Sequence, residues 1–124
     1  MKTYLYTVLF LGLAAQTYAA HAAGDAVYGA SLYKVQCTIC HSADYNGIGP
    51  LHKGVFGRKA GQVAGFAYSP ALKGSKLVWD EATLDRWLTS PEKLVPGQIM
   101  GFTVEKASDR ADLIAFLKKL GTPG

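Results

Sequence analysis

The sequence predicts a small all-α fold in which three to five helices are joined by long loops. The clearest helical signal lies near the C-terminus, where apolar residues recur at intervals of three and four. No stretch alternates apolar and polar residues as a half-buried strand does. Repeated glycines and a proline break any regular period between residues 42 and 65, so we expect a loop there.

The first helix is expected over residues 25–36. Ala26, Ala30 and Tyr33 fall on one face of this segment and would turn toward the core. Gly29 would let another element approach closely, because it has no Cβ.

Three shorter helical segments are expected after the loop. Ser69 with Pro70 would open a helical turn, and Ser90 with Pro91 would open another. Between them, Asp80 is expected to cap a clearer helix. Its apolar positions, spaced i, i+3 and i+4, are Leu84, Trp87 and Leu88.

The last helix has the strongest pattern. Ser108 is its expected N-cap, and Gly121 its expected end. Acidic residues in the predicted first turn and basic residues near the end suit the helix dipole, and these are Asp109, Asp112, Lys118 and Lys119. The apolar stripe is formed by Leu113, Phe116, Leu117 and Leu120.

The N-terminal segment has the pattern of a secretory signal peptide. Lys2 precedes a run of about a dozen mostly apolar residues, too short for the roughly 20 that span a bilayer. Small residues follow, with Ala20 and Ala22 in an A-x-A arrangement. We expect residues 1–22 to be removed near Ala22, leaving a single domain over 23–124. The alternative is that the segment is retained as a membrane anchor.

The sequence CTICH contains both cysteines of the chain, Cys37 and Cys40, followed by His41. A disulfide between these cysteines would close too short a loop to stabilise the fold much. A thioredoxin-type pair needs a βαβ context that is missing from the sequence pattern. Zinc would need four ligands, and adjacent Cys40 and His41 fit one tetrahedron poorly.

The remaining interpretation is covalent attachment of one haem c. C-x-x-C-H is its recognised signature, because two thiols on one turn can add to the same porphyrin edge while the histidine ligates iron. Met100 is the only methionine besides Met1 and lies in a turn-rich segment, VPGQIMGF, so it is the predicted second ligand. His52 is its rival for that position. A domain of about 100 residues with long loops has a small hydrophobic core and would need the haem to complete it. We therefore expect a largely unfolded apoprotein.

These residues resemble class I cytochrome c, of the mitochondrial and alphaproteobacterial kind. The resemblance runs through nearly all of the chain after the N-terminal segment and is carried by GDAVYG, CTICH, GP, GVFGRKAGQ, GFAYSPAL, Trp79, SPEKLVPG, Met100 and RADLIAFLKKL. It implies a cytochrome c fold around the haem. It also implies that the Pro50 carbonyl accepts a hydrogen bond from the axial imidazole, and that Arg58, Tyr68 and Trp79 face the haem propionates.

Several positions depart from the family pattern. His52 replaces an apolar leucine, and Trp87 replaces a tyrosine near the methionine sulfur. Gln98 and Ile99 replace the threonine and lysine of the methionine loop. Lysines are also fewer around the expected haem edge, so we expect partner association to depend less on salt than in a strongly basic relative.

The expected function is that of a soluble periplasmic carrier of single electrons, not an enzyme, and no catalytic residues are assigned. Its partners would be redox proteins such as a quinol-oxidising complex, a terminal oxidase or a periplasmic dehydrogenase. The net charge of +4 is too small and scattered to favour nucleic acid. We expect a monomer without stable membrane insertion. The alternatives are a membrane-tethered carrier, a dedicated subunit of one oxidoreductase, and a haem enzyme or gas sensor.

Overall fold

The computed structural model describes residues 23–121, so the predicted signal segment lies outside the described residues. Five α-helices occur in this range: α1 (Ala26–Gln36), α2 (Pro70–Lys73), α3 (Glu81–Thr89), α4 (Pro91–Leu94) and α5 (Ala107–Lys119). Within the same range the β-structure is a single isolated antiparallel bridge between Lys59 and Val78. The all-α prediction is therefore confirmed. None of the helices between residues 23 and 121 combines the length and apolar character needed to cross a membrane.

Helix α1 begins where the sequence predicts, but its buried face is different. Asp25 caps it by accepting hydrogen bonds from two backbone N–H groups of the first turn. The buried residues are Gly29, Leu32 and Tyr33. Ala26 and Ala30 are half-buried beside them. The predicted face omitted Leu32, which contributes the aliphatic side chain of this helix to the core.

Helices α1 and α5 cross at close range. A Cβ on Gly29 would collide with the backbone carbonyl group of Asp112, which confirms that the glycine is needed for a close approach. The backbone N–H of Asp25 donates to Oδ1 of Asp112 at 2.6 Å. Tyr33 packs against Phe116 with ring centroids 5.0 Å apart. Helix α5 thereby fixes the end of α1 that leads into the cysteine pair.

The N-terminus of α5 differs from the prediction. The helix begins at Ala107, Lys106 occupies the N-cap position without a side-chain cap, and Ser108 lies inside the first turn. Arg110 explains the shift, because its guanidinium donates to the carbonyl oxygens of Val104 and Glu105 at 2.9 and 2.8 Å. It also pairs with Asp85 of α3 at 2.7 Å. These contacts hold the start of the helix without a serine cap.

The shorter helices begin at the predicted residues. The Ser69 hydroxyl accepts from the Leu72 N–H at 3.2 Å, and Pro70 opens α2. Asp80 caps α3 through a reciprocal pair of hydrogen bonds with Thr83, each 2.8 Å long. Pro91 opens α4. Helix α5 ends at Lys119, and Gly121 beyond it has a positive φ of 108°.

The hydrophobic core lies between α1, α3 and α5 and extends to one side of a large cleft. Trp79 and Trp87 meet edge to face in it, with centroids 5.2 Å apart. The buried apolar residues are Leu32, Tyr33, Val55, Ala60, Trp79, Leu84, Trp87, Leu88, Val95, Val104, Leu113, Ile114 and Leu117. Several of them form the wall of the cleft, so the core and the candidate site share side chains.

Candidate haem site

A cleft of about 630 Å³ lies at the centre of the described chain, and its walls are mainly apolar. Its size is in the range of cofactor sites. All eight residues predicted to serve the cofactor line it, namely Cys37, Cys40, His41, Pro50, Arg58, Tyr68, Trp79 and Met100. Residues that are up to 63 positions apart in the sequence are thus brought to one cavity.

The cysteine pair lies on a turn that follows α1 directly. The Cys37 carbonyl accepts from the N–H groups of Cys40 at 3.1 Å and His41 at 2.8 Å, so the three side chains share one tight turn. No disulfide joins Cys37 to Cys40. Burial, with a contribution from Cys40, raises the pKa of Cys37 to about 11.

The His41 ring is fixed through one nitrogen. Its Nδ1 lies 2.8 Å from the Pro50 carbonyl oxygen, which can only accept, so Nδ1 carries the proton and Nε2 keeps a free lone pair. Burial lowers the pKa of His41, and the bond to Pro50 opposes this shift. A Cβ on Gly49 would overlap the imidazole. The G-P pair therefore provides both the space and the acceptor for this ring.

Met100 lies half-buried in a loop between α4 and α5 and packs against the core. Its backbone N–H donates to the side-chain oxygen of Gln98. The loop is tied back at its far end, where the Val104 N–H donates to the Leu88 carbonyl at 2.7 Å. The loop between α4 and α5 thereby places the Met100 thioether at the cleft.

Arg58, Tyr68 and Trp79 offer hydrogen-bond donors to the same cleft. Arg58 and Trp79 are neighbours across short backbone pairing, with the Trp79 N–H donating to the Arg58 carbonyl at 2.9 Å. The Arg58 guanidinium also donates to the carbonyl oxygens of Leu51 at 2.9 Å and Lys53 at 3.1 Å. The Tyr68 hydroxyl accepts from the Val63 N–H at 3.1 Å, which leaves its own proton for another acceptor.

The donor set fits a haem. Among residues 23–121 neither Tyr68 O–H nor the indole N–H of Trp79 donates to a protein group, and acids turned into an apolar cleft need such donors. Two thiols, one imidazole nitrogen and one thioether lie along the same walls. When bound, a haem supplies an iron that cycles between the ferric and ferrous states. No group of three His, Cys, Asp or Glu residues in the described chain is placed to hold a metal ion by itself.

The structure places His52 on the His41 side of the cleft. The two rings are stacked with centroids 4.0 Å apart. A ligand opposite His41 would have to reach the other axial position, so this geometry disfavours His52 as the rival of Met100. No sequence pattern predicts the stack, because the two histidines are separated by an aperiodic loop.

Further residues of the cleft were not assigned from the sequence. The side chains of Val35, Ile39, Ile48, Phe66 and Phe102 line it. Their apolar character is the only signal that the sequence carries for this placement, and it is shared with many residues elsewhere.

Comparison with known proteins identifies the fold. The cytochrome c family model matches residues 26–121. A cytochrome c2 of Rhodomicrobium vannielii is 50% identical over 102 residues, which cover 79% of this chain and 81% of that protein. A cytochrome c of Chlamydomonas reinhardtii is 44% identical over 107 residues, covering 83% and 96% of the two chains.

A solved structure agrees with these relatives. Cytochrome cH from Methylobacterium extorquens superposes with a TM-score of 0.74 at 45% sequence identity, and the match covers 77% of this chain and 99% of that one. The family match, the relatives and the shared fold show that the chain belongs to the class I cytochrome c family, whose members are electron carriers with covalently attached haem c.

Proposed function

We propose that this chain is a periplasmic carrier of single electrons, with its haem bonded through Cys37 and Cys40 and ligated by His41 and Met100. The observation that carries the proposal is the hydrogen bond from Nδ1 of His41 to the Pro50 carbonyl, 2.8 Å long. It leaves Nε2 as the ligating atom in a cleft that Met100 also lines.

The residues of the cleft favour electron transfer over conversion of a substrate. His41 and Met100 would fill both axial positions, which leaves no vacant position for a substrate. Among the described residues that line the cleft there is no carboxylate that could serve as an acid or base. Arg58, Tyr68 and Trp79 would neutralise or hydrogen-bond the propionates and so keep the cofactor oriented.

Export to the periplasm is part of the proposal and rests on residues 1–22, which carry the signal pattern. Mass spectrometry of the protein from its native membrane and periplasmic fractions tests it. We expect a chain that begins near Ala23 in the periplasmic fraction. A full-length chain that fractionates with membranes would support a tethered carrier instead.

Exposed apolar residues surround the mouth of the cleft and would face a redox partner. Ile39, Ile48 and Ile99 are 78%, 77% and 75% exposed, and Ile99 stands where the resembled family commonly has lysine. Association with a quinol-oxidising complex, a terminal oxidase or a periplasmic dehydrogenase would therefore depend only weakly on ionic strength. The rate of electron exchange with the isolated partner complex, measured across a salt series, tests this. A steep fall at moderate salt would contradict it.

The ligand assignment is tested by replacing the thioether. Met100→Leu keeps an apolar side chain of similar volume but removes the sulfur. We expect loss of the weak long-wavelength band that arises from sulfur-to-iron charge transfer, and a lower reduction potential, because a methionine ligand raises the potential. His52→Leu is the control, since it removes the rival imidazole and should keep the band. Absence of the band from the unsubstituted protein, or an unchanged spectrum and potential in Met100→Leu, would overturn the assignment.

A further inference from the structure

A second imidazole lies flat against the predicted axial ligand. The rings of His52 and His41 have centroids 4.0 Å apart and planes only 20° from parallel. This is close contact between two aromatic faces, and it covers one face of the His41 ring. Leucine, which the resembled family commonly has at this position, has no flat face to offer.

His52 is held in place from its other sides. Its Nδ1 lies 3.1 Å from the hydroxyl of Tyr33. Its backbone N–H donates to the Ser42 carbonyl at 2.9 Å, and its own carbonyl accepts from the Val55 N–H at 2.8 Å. Tyr33 is only 6% exposed and is itself packed against Phe116 of α5. The stacked ring is therefore anchored, through Tyr33, to the crossing of α1 and α5.

The His41 ring retains one rotational freedom that this contact can remove. The bond to Pro50 holds Nδ1, and ligation would hold Nε2 at the opposite part of the ring. Small rotations about the Cβ–Cγ bond tilt the ring plane and bend both of these bonds without breaking them. A flat neighbour at 4.0 Å opposes that rotation, because the ring edge would have to swing into it.

We propose that His52 is a positioning residue that sets the plane of the axial imidazole of His41, and that the Tyr33 hydroxyl holds His52 in the stacked orientation. The inference rests on the proposed ligation by His41. It has an electronic consequence, since the direction of the imidazole plane governs its overlap with the iron orbitals. It also places a polar ring beside the ligand, and local polarity is one of the factors that tune the potential.

The test uses four variants of the haem-loaded protein. His52→Leu removes the flat face, His52→Phe keeps a flat ring without nitrogens, and Tyr33→Phe removes only the anchoring hydroxyl. Tyr28→Phe is the matched control, because Tyr28 lies on the exposed side of the same helix. The readouts are the spread of the haem methyl resonances in the proton NMR spectrum of the ferric protein, which reports the ring plane, and the reduction potential.

We expect His52→Leu to alter the methyl spread clearly, Tyr33→Phe to alter it less, and His52→Phe and Tyr28→Phe to leave it close to that of the unsubstituted protein. Both His52 variants should favour the ferrous state by about threefold, or roughly 28 mV, because a less polar surrounding disfavours the more highly charged ferric haem. An unchanged methyl spread in His52→Leu would overturn the inference. If His52→Leu does not take up haem, the comparison of Tyr33→Phe with Tyr28→Phe decides, and identical spectra would overturn it.

The proposed function is tested separately by the unsubstituted protein. If that protein lacks the sulfur-to-iron charge-transfer band, the ligand assignment fails before any variant is compared. If the band is present but the methyl spread does not respond to His52, only the positioning role fails.

Discussion

The two sides of the candidate haem site are constructed differently. On the His41 side, consecutive turns bring the imidazole against Pro50, Gly49 and His52, so contacts hold the ring from several directions. These contacts connect to the packed crossing of α1 and α5 through Tyr33. Contacts within the protein therefore hold this side in addition to any bond to the cofactor.

The Met100 side consists of a loop with few anchors. Met100 itself is tied to Gln98 of the same loop, and Gln98 in turn contacts Glu92. Ile99 is 75% exposed, and Gly101, Phe102 and Thr103 make no hydrogen bond to another residue of the described chain. Segments with few buried contacts open at lower free energy than the rest of a fold. Packing within the protein therefore holds the candidate ligand His41, whereas the position of Met100 depends more on the bond between its sulfur and the iron.

Removal of the haem should have the largest effect, because both sides attach to it. A Cys37→Ala, Cys40→Ala double variant purified without haem is expected to lose most of its helical circular dichroism. Burial of the porphyrin contributes on the order of 10 kcal/mol as an upper estimate. A domain of this size has a total stability of only about 5–15 kcal/mol. The haem-loaded protein is the reference, and a native-like helical spectrum of the apoprotein would refute the expectation.

A pair of substitutions to alanine compares the two sides directly. Gly49→Ala places a methyl group inside the volume of the His41 ring, so we expect it to lower the free energy of unfolding by about 1–3 kcal/mol. Thr103→Ala is a change of similar size on the Met100 side, at an exposed residue that does not line the cleft and whose side chain makes no hydrogen bond within the described chain. Its expected effect is within about 0.5 kcal/mol. Denaturant titrations of the two haem-loaded variants measure both values, and equal losses would remove the distinction between the sides.

The parts of the fold that local chemistry determines were predictable from the sequence. Asp80 begins α3 and Pro70 begins α2 at the expected positions, because caps and prolines act within one turn. The predicted start of α5 was wrong by two residues, because Arg110 holds it through contacts with Asp85 and two carbonyl groups. Such tertiary contacts leave no local pattern.

The candidate site also combines features that local sequence predicts with features that depend on the tertiary fold. Spacing within CTICH and the single later methionine predict the residues that the structure brings to the cleft. The stack of His52 on His41 depends on how an aperiodic loop folds back, so the sequence showed only that an unusual residue was present. Local chemistry therefore identified the candidate ligands, and the three-dimensional fold was needed to show what holds each one.

High pH offers a smaller perturbation, on the His41 side. Burial, with a contribution from Asp44, raises the pKa of Tyr33 to about 12 from 10.0. A raised pKa means that the folded state retains the proton longer, so this stabilisation is complete below pH 10.0 and is lost as pH rises toward about 12.

Tyr33→Phe removes the titrating hydroxyl, so the stability difference between the unsubstituted protein and this variant should shrink by about 1 kcal/mol over that pH interval. Two pKa units would give about 2.7 kcal/mol, and solvent screening reduces it. Denaturant midpoints at several pH values measure the change, with Tyr28→Phe as the background for an exposed hydroxyl. A difference that stays constant with pH would show that the Tyr33 hydroxyl is not protected by folding.

The smallest expected effect tests the loop on the Met100 side. Gln98 accepts from the Met100 N–H and donates to Glu92 at 3.4 Å, and Glu92 also accepts from the Gly97 N–H at 3.0 Å. Gln98→Ala removes the two side-chain contacts of Gln98, which should lower the local stability of the loop by about 0.5–1 kcal/mol. We expect the loop to open before the rest of the fold. The denaturant concentration that abolishes the sulfur-to-iron band should therefore fall, while the unfolding midpoint followed by circular dichroism should hardly move. Gln62→Ala is the matched control, since Gln62 is exposed, does not line the cleft and makes no side-chain hydrogen bond within residues 23–121. If both midpoints of Gln98→Ala fall together, the Met100 loop unfolds with the core, and the two sides of the site form one cooperative unit.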